Sequence, residues 1–425
     1  MTNDNKSLVV PFIAVTTLFF AWGFITAMVD PLIASLKTVF SLTNAESMLA
    51  PFAYFIAYGV VSLPAAALVA RAGYGKAIVI ALVAMIVGCL VVPLATQLGT
   101  FHLVLVALFI IASGVTVLQV AANPLVADLG PHKWTHLRLL FSQAFNSLGT
   151  VIAPYIGSSI MLSGGVFAAK AGATADAAQR TESLRSIDTA FFVVTGLIVL
   201  LVVLILISRK RIEAAAPQLV QEQGAAILPA LKSRWAVLGA IAIFLYVGSE
   251  VTIGGQLTLF LSQEDILNVS VERAGKLVSL YWLGAMIGRF VGSALLLKVP
   301  AFRLLTLFTL VAAALCFVVT QTGGEVAAYS AIAVGLFNSI MFPVIFTLTL
   351  ERSTASQAAT SGLLCVAIIG GALLPPLAGA ITDVSTRSMS FFVPALGYVG
   401  LFLFALASSR ASVNEAGRPA TSTAH

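Results

Sequence analysis

Residues 21–36, AWGFITAMVDPLIASL, place one carboxylate inside a long apolar segment. Asp30 is the only charged residue in the run 9–36. A carboxylate at mid-membrane depth costs roughly 3 kcal/mol or more unless it faces a cavity, has a partner or carries a proton. Pro31 follows directly and can loosen the backbone there, because proline lacks an N–H. We therefore predict a functional role for Asp30; the alternative is a helix-end acid that pairs with a polar neighbour.

The composition is that of an integral membrane protein. The chain is 59% hydrophobic and 9% charged, whereas soluble globular proteins carry roughly 25% charged residues. Apolar runs give twelve candidate spans, each near the roughly 20 residues that cross a bilayer as a helix. The spans are roughly 9–36, 47–70, 77–98, 101–127, 136–162, 188–208, 235–262, 273–297, 302–321, 325–350, 357–382 and 389–409. We predict an all-α membrane protein with twelve transmembrane helices.

The longest polar interval divides these spans into two groups of six. It contains the stretch SRKRIEAAAPQLVQEQ. We predict an N-terminal six-helix half over 1–208, a cytoplasmic linker over 209–234, a C-terminal six-helix half over 235–410 and a disordered cytoplasmic tail over 411–425.

Lysine and arginine predict the orientation in the membrane. With both termini in the cytoplasm, the inner loops carry about twice as many of these residues as the outer loops, which is the usual bias. Several of the outer charges lie in one longer loop, 163–187, where the rule is weak. We predict a multi-pass protein of the cell inner membrane with cytoplasmic termini. The net charge of +6 orients the helices and does not indicate a nucleic-acid partner.

Two glycine and proline triplets indicate that the halves are repeats. Both triplets have spacings of five and three residues. They are Gly149, Pro154 and Gly157 in span five, and Gly371, Pro376 and Gly379 in span eleven. Two such halves related by an axis along the membrane normal hold a substrate site at mid-membrane between them. We predict structural or gating roles for Gly149, Pro154, Gly371 and Pro376.

Several amide side chains lie deep in the spans. Gln119 and Asn123 are four residues apart in span four, and Gln143 and Asn146 are three apart in span five, so each pair shares a helix face. Asn338 lies equally deep in span ten. Lipid cannot satisfy amides, so they should point inward. We predict that they bind substrate, since amides bond hydroxyl groups in both directions; helix–helix bonding is the alternative.

Spans seven and eight carry the remaining candidates. Glu250 is a second titrating group, an acceptor for a sugar hydroxyl or a salt-bridge partner of Arg289. Gln256 and Trp282 are predicted substrate contacts, with core filling as the alternative for Trp282. Arg289 snorkels or bonds a neighbouring helix, and the pair Gly254-Gly255 can loosen span seven.

Enzyme and metal chemistry find no support in the sequence. It contains no Walker loop, no GxSxG elbow and no HExxH pair, so ATP-driven transport by this chain alone is not favoured. The 3 cysteines and 4 histidines are scattered and give no metal spacing. We predict a protein that is not an enzyme and that has no cofactor and no metal.

Several ordered segments together resemble one family. They are FFAWGF with Asp30, LQVAANPLV, SQAFNSLGTVIAP, FLYVGSEVTIG, YWLGAMIGRFVGS and GLFNSIMFP. The chain resembles the fucose/proton-symporter group of the major facilitator superfamily, and within it the glucose/galactose-type sugar permeases. The resemblance implies a proton-coupled hexose importer that works by alternating access.

The same resemblance implies roles for individual residues. In the fucose member, carboxylates of spans one and four carry proton coupling and sugar binding. The first maps onto Asp30, and the second maps onto Gln119, which cannot titrate. Gln143 and Asn146 fall at family positions near the sugar. Glu250 is the other predicted proton-coupling residue.

The sequence leaves three alternatives open. A proton/drug antiporter would favour an apolar, aromatic cavity, and the many deep amides argue against it. An importer of an amino sugar such as N-acetylglucosamine fits the same polar groups. Sodium could replace the proton, because one carboxylate with carbonyls can bind either ion. We expect a monomer in the lipid bilayer.

Overall fold

The computed structural model of the protein describes residues 3–129, 135–167, 177–215 and 228–411. Within these ranges every regular element is a helix. A helix satisfies its own backbone groups, so this is the expected architecture in lipid. Part of the predicted linker, 216–227, and almost all of the predicted tail, 412–425, lie outside the described residues.

The N-terminal half is one six-span bundle with its own apolar core. Its helices are α1 (Asn3–Ala27) and α2 (Val29–Val39) in span one, α3 (Asn44–Ser47) and α4 (Leu49–Ala72) in span two, then α5 (Tyr74–Gln97), α6 (Phe101–Asp128), α7 (Thr135–Met161) and α8 (Ala177–Ala215).

The C-terminal half is a second bundle with a separate core. After the short helix α9 (Leu228–Leu231), its helices are α10 (Arg234–Leu261), α11 (Val271–Leu296), α12 (Ala301–Gln321), α13 (Gly324–Asn338) and α14 (Met341–Arg352) in span ten, α15 (Gln357–Val366) and α16 (Gly370–Val384) in span eleven, and α17 (Phe392–Arg410). The 3-10 turns Ala367–Ile369 and Met389–Phe391 precede α16 and α17.

The predicted fold class is confirmed. Eleven helical segments of the described chain are long and apolar enough to cross a membrane. The helix α7, 27 residues long and richer in polar side chains, completes the set of twelve. We call the contact between the halves the seam; it joins α2, α3, α4 and α7 to α10, α11, α15 and α16.

The helices of both halves begin and end at two levels, which we call the linker end and the far end. The linker end holds residues 72–74, 209–215, 228–234 and 352–356. The far end holds residues 39–44, 97–101, 262–271 and 384–389.

Two spans are divided next to a proline. Span one breaks at Met28, between α1 and α2, and span ten breaks at Ser339 and Ile340. Pro31 and Pro343 lack the N–H that would bond the carbonyl four residues earlier. Those carbonyls belong to Ala27 and Ser339, which lie at the two breaks. The structure thus agrees with the expectation that Pro31 loosens the backbone beside Asp30.

Two expectations about helices were wrong. Span six was expected over 188–208, but α8 runs from Ala177 to Ala215 and enters the predicted linker. Its end turns are polar, so counting apolar residues underestimates its length. The pair Gly254-Gly255 does not loosen span seven, because α10 is continuous from Arg234 to Leu261.

Helix contact within the N-terminal half depends on glycine. A Cβ at Gly149 of α7 would lie 2.4 Å from the carbonyl oxygen of Phe20 and 2.7 Å from the amide nitrogen of Phe24 in α1. Both are backbone atoms of α1, which cannot turn aside as the end of a flexible side chain can. In contrast, a Cβ at Gly196 of α8 would have no neighbouring atom within 4 Å.

We expect Gly149→Ala to lower the free energy of unfolding by about 1 to 3 kcal/mol, the usual cost of overpacking. Gly196→Ala is the matched control, and it should be neutral or gain up to about 1 kcal/mol from helix propensity. Thermal unfolding of the two purified variants measures the difference. Equal midpoints for both variants would contradict the close packing of α7 on α1.

Candidate substrate and proton site at the seam

Asp30 lies at the seam and meets the other half directly. It occupies the first turn of α2 and is 8% exposed. The indole Nε1 of Trp282, in α11, donates a hydrogen bond of 2.9 Å to its Oδ2. The backbone of α10 passes beside it, since a Cβ at Gly254 would lie 3.5 Å from Oδ1 and 3.7 Å from Oδ2. The carboxylate therefore has a donor from the C-terminal half and little contact with solvent.

Glu250 belongs to a polar network inside the C-terminal half. The hydroxyl of Tyr246, one turn earlier in α10, donates to its Oε1 at 2.8 Å. The same hydroxyl lies 3.1 Å from the carbonyl oxygen of Asn338. Glu250 and Asp30 are close enough to interact electrostatically. The two acids thus lie in opposite halves and repel each other when both are ionised.

Asn338 holds two tyrosines of different helices. Its Nδ2 donates to the hydroxyl of Tyr281 in α11 at 2.7 Å, and its Oδ1 accepts from the hydroxyl of Tyr398 in α17 at 2.7 Å. All three side chains are buried. The Tyr281 hydroxyl also lies 3.4 Å from the carbonyl oxygen of Glu250. The structure therefore gives Asn338 a clear role in helix packing; its predicted contact with substrate stays a prediction.

Arg289 bonds across the seam. Its guanidinium donates to the hydroxyl oxygen of Ser147 in α7 at 2.7 Å. That hydroxyl in turn donates to the backbone carbonyl oxygen of Gln143 at 3.1 Å. The ion pairs within 4 Å among the described residues do not include Arg289 with Glu250. The salt bridge considered from the sequence is therefore not formed here, although the two charges interact at longer range.

The N-terminal half offers a second polar group near the seam. Gln119 donates from Nε2 to the hydroxyl of Tyr58 in α4 at 2.8 Å. One turn earlier in α4, the hydroxyl of Tyr54 bonds that of Thr26 at 2.9 Å. The carbonyl of the Gln119 amide and the proton of the Tyr58 hydroxyl can still serve a ligand. The ring of Phe55 stacks on Tyr58 at 5.8 Å between centroids.

The remaining predicted amides have different surroundings. Asn146 donates to the backbone carbonyl of Phe19 in α1 at 3.2 Å, so it joins α7 to α1. Gln143 and Asn123 are half-buried. Gln256 is 2% exposed and accepts a bond of 2.6 Å from Ser390, so it holds the turn before α17 against α10. The structure does not bring Gln256 into the polar groups around Asp30.

The two glycine and proline triplets pack differently despite equal spacing. In span five they join helices of the same half: Gly149 lies against α1, and a Cβ at Gly157 would lie 2.7 Å from Pro31. In span eleven they join the two halves: a Cβ at Gly371 would lie 2.8 Å from the ring of Phe55, and one at Gly379 would lie 2.6 Å from the carbonyl oxygen of Asn44. The prolines of both triplets, Pro154 and Pro376, lie inside helices.

A polar cluster closes the far end across the seam. The carboxylate of Asp383 accepts from the backbone amides of Asn44 at 2.8 Å and Ala45 at 2.9 Å. Arg387 donates to the side-chain oxygen of the same Asn44. Burial lowers the pKa of Arg387 to about 10, while the nearby charge of Asp383 acts in the opposite direction. The guanidinium keeps its charge at neutral pH and completes the cluster.

Several of these residues were not among the sequence candidates. They are Thr26, Tyr54, Tyr58, Ser147, Tyr281, Asp383, Arg387 and Tyr398. A buried tyrosine hydroxyl usually has a partner, so tyrosines deep in apolar spans were an available signal. Tyr54 and Tyr58, four residues apart on one face of α4, were the clearest case. Ser147 gave no such signal.

These observations define a class of protein. Two six-helix halves meet along a seam that is lined with polar side chains near mid-span and closed at one end. That is the arrangement of a transporter in which the halves move about a central site.

Comparison with known proteins gives the family. The model of the Major Facilitator Superfamily matches residues 12–364. The chain belongs to the Major Facilitator Superfamily.

Relatives over nearly the whole chain identify the branch. The chain is 39% identical to the glucose/galactose transporter of Brucella abortus, over 96% of each chain. It is 35% identical to a putative glucose/galactose transporter of Helicobacter pylori, over 92% of this chain and 95% of that one. The chain is 28% identical to the L-fucose-proton symporter of Escherichia coli, over 97% of this chain and 96% of that one. The resemblance to the glucose/galactose branch is therefore confirmed.

Solved structures agree with this assignment. The transporter FucP in its outward conformation matches with a TM-score of 0.68 and 27% identity, over 95% of this chain and 100% of that one. A bacterial homologue of the human lysosomal transporter Spinster shares the fold, with a TM-score of 0.71 and 16% identity, over 97% of this chain and 98% of that one.

We expect Asn338→Leu to destabilise the C-terminal half by about 2 kcal/mol, because the buried hydroxyl of Tyr398 loses its acceptor and that of Tyr281 loses its donor. Thr309→Val is the control: the Thr309 hydroxyl bonds only carbonyls of its own helix α12, so its loss should cost well under half as much. Thermal unfolding in detergent compares the two. A smaller loss for Asn338→Leu than for Thr309→Val would contradict the network.

Proposed function

We propose that the protein is a proton-coupled symporter that imports a hexose of the glucose/galactose class by alternating access. The supporting relatives are described as glucose/galactose transporters and as an L-fucose-proton symporter. The observation that carries the proposal is Asp30, buried at the seam and bonded to Trp282 of the other half. A titratable group in that position can couple proton binding to movement of the halves.

The proposed orientation follows the predicted charge bias. The protein lies in the inner membrane, with both termini and the linker end in the cytoplasm and the far end in the periplasm. The halves are 1–208 and 235–410, with a linker over 209–234 and a tail over 411–425; separate apolar cores support this division. One chain supplies both sides of the seam, so a monomer is the proposed unit. Its action is transport, without enzymatic chemistry.

The proposed cycle begins with the far end open to the periplasm. Asp30 takes up a proton and sugar binds nearby. The neutral carboxyl is cheaper to bury than the charged one, so the halves can close over the sugar at the far end. Release follows on the cytoplasmic side. A membrane potential of 100 mV contributes about 2.3 kcal/mol for each charge moved.

The proposed sugar contacts come from both halves. Gln119 and Tyr58 offer an acceptor and a donor, and Gln143 and Asn123 are partly accessible. Asn146, Asn338 and Gln256 act mainly through the helices that they hold. Gly149, Pro154, Gly371 and Pro376 serve packing and gating. Glu250 is the proposed second proton-binding residue, because Gln119 cannot titrate.

We expect radiolabelled glucose to accumulate in proteoliposomes when the exterior is more acidic than the interior. Competition with unlabelled galactose, mannose and N-acetylglucosamine ranks the substrates. A sodium gradient at equal pH is the matched control for the coupling ion. Accumulation that follows sodium and ignores the pH gradient would contradict proton coupling, and the absence of uptake with every sugar would contradict hexose transport.

We expect Asp30→Asn to abolish uphill accumulation while sugar exchange between equal pools continues, because the neutral amide imitates the protonated acid. Asp188→Asn is the matched control. Asp188 is also an acid of a membrane span, but its partner is Thr96 within the N-terminal half. Equal accumulation by wild type and Asp30→Asn would show that Asp30 does not carry the proton.

A further inference from the structure

We propose that Trp282 is a positioning residue for proton coupling, whose indole N–H holds the ionised Asp30 only while the far end is closed. This inference rests on the proposed function and deepens it, since it assigns the group that makes Asp30 respond to the position of the halves. It gives Trp282 a role different from sugar stacking.

The bond between Asp30 and Trp282 must break when the far end opens. Asp30 is carried by α2 of the N-terminal half, and Trp282 is carried by α11 of the C-terminal half. Their bond is 2.9 Å long. An N–H···O bond weakens steeply beyond about 3.2 Å. Even a small separation of the halves at this level therefore removes it.

Trp282 is held in place within the C-terminal half. The ring of Trp282 stands edge-on to that of Tyr281, with centroids 5.1 Å apart. Tyr281 is fully buried and bonded to Asn338. The backbone of α10 at Gly254, in the same half as Trp282, lies against both oxygens of Asp30. The indole therefore moves with the network of the C-terminal half.

The bond to Trp282 stabilises one charge state of Asp30 more than the other. An indole N–H can donate but cannot accept, so its bond favours the ionised carboxylate over the neutral acid. Hydrogen bonds to a charged acceptor are about twice as strong as neutral ones. Of the other groups facing Asp30, Glu250 and Tyr281 of the C-terminal half interact with it electrostatically. Trp282 thus helps the proton to leave once the far end has closed.

The first experiment measures the contact without transport. In the purified full-length protein, the fluorescence of wild type minus that of Trp282→Phe isolates the Trp282 emission among the 4 tryptophans. We expect this difference to change in one step between about pH 5 and pH 9, and the step to vanish when both proteins also carry Asp30→Asn. A step that persists with Asp30→Asn would overturn the pairing.

The second experiment measures the consequence. Glucose exchange in proteoliposomes with equal pH on both sides should fall at alkaline pH as Asp30 loses its proton. We expect Trp282→Phe to move the midpoint up by about one pH unit, a tenfold change in proton affinity. Trp235→Phe is the matched control, because Trp235 contacts Phe404 and Arg352 within the C-terminal half. Its midpoint should equal that of wild type.

The outcomes separate the inference from the proposed function. If wild type exchanges glucose with a pH midpoint and Trp282→Phe keeps that midpoint, the role of Trp282 is overturned and proton-coupled transport stands. If the fluorescence step depends on Asp30 but no hexose is exchanged at any pH, the proposed function fails, and with it the coupling role. An upward shift that disappears in the double variant Asp30→Asn, Trp282→Phe supports both.

Discussion

Inside the hydrocarbon of a membrane, a polar side chain must find its partner within the protein. This constraint explains where the polar residues of the chain lie. Many of the amides, tyrosines and acids lie within the halves and along the seam, where they bond another polar group. Asp30 is the extreme case, because a carboxylate is the most expensive of them to bury, and its donor, Trp282, comes from the opposite half.

Polar bonding is denser within each half than between the halves. Inside the C-terminal half, Asn338 ties three helices together through two tyrosines. Among the described residues, fewer side-chain bonds cross the seam: Asp30 with Trp282, Arg289 with Ser147, and the cluster around Asp383 at the far end. Each half can therefore keep its internal bonds while it exchanges its contacts with the other, as a pair of bodies that move about a central site requires.

The sequence predicted the spans, the two halves and the depth of Asp30, because these follow from hydropathy and from the cost of burying charge. It could not predict which helices would meet. Gly149 and Gly371 have the same place in equal triplets, yet one packs within a half and the other across the seam. Gln256 was predicted to contact substrate, and its amide oxygen accepts a bond from Ser390 in the structure. Spacing within a helix shows which side chains share a face, and only the tertiary structure shows what that face meets.

The divided spans have a mechanical consequence. Spans one, ten and eleven are each jointed near the middle, while their repeat counterparts, spans seven, four and five, are continuous rods. The outer segment of span one, α2 (Val29–Val39), can change its angle while α1 (Asn3–Ala27) keeps its position. A bend at such a joint moves the outer segment alone, so the far end can narrow while the linker end keeps its geometry.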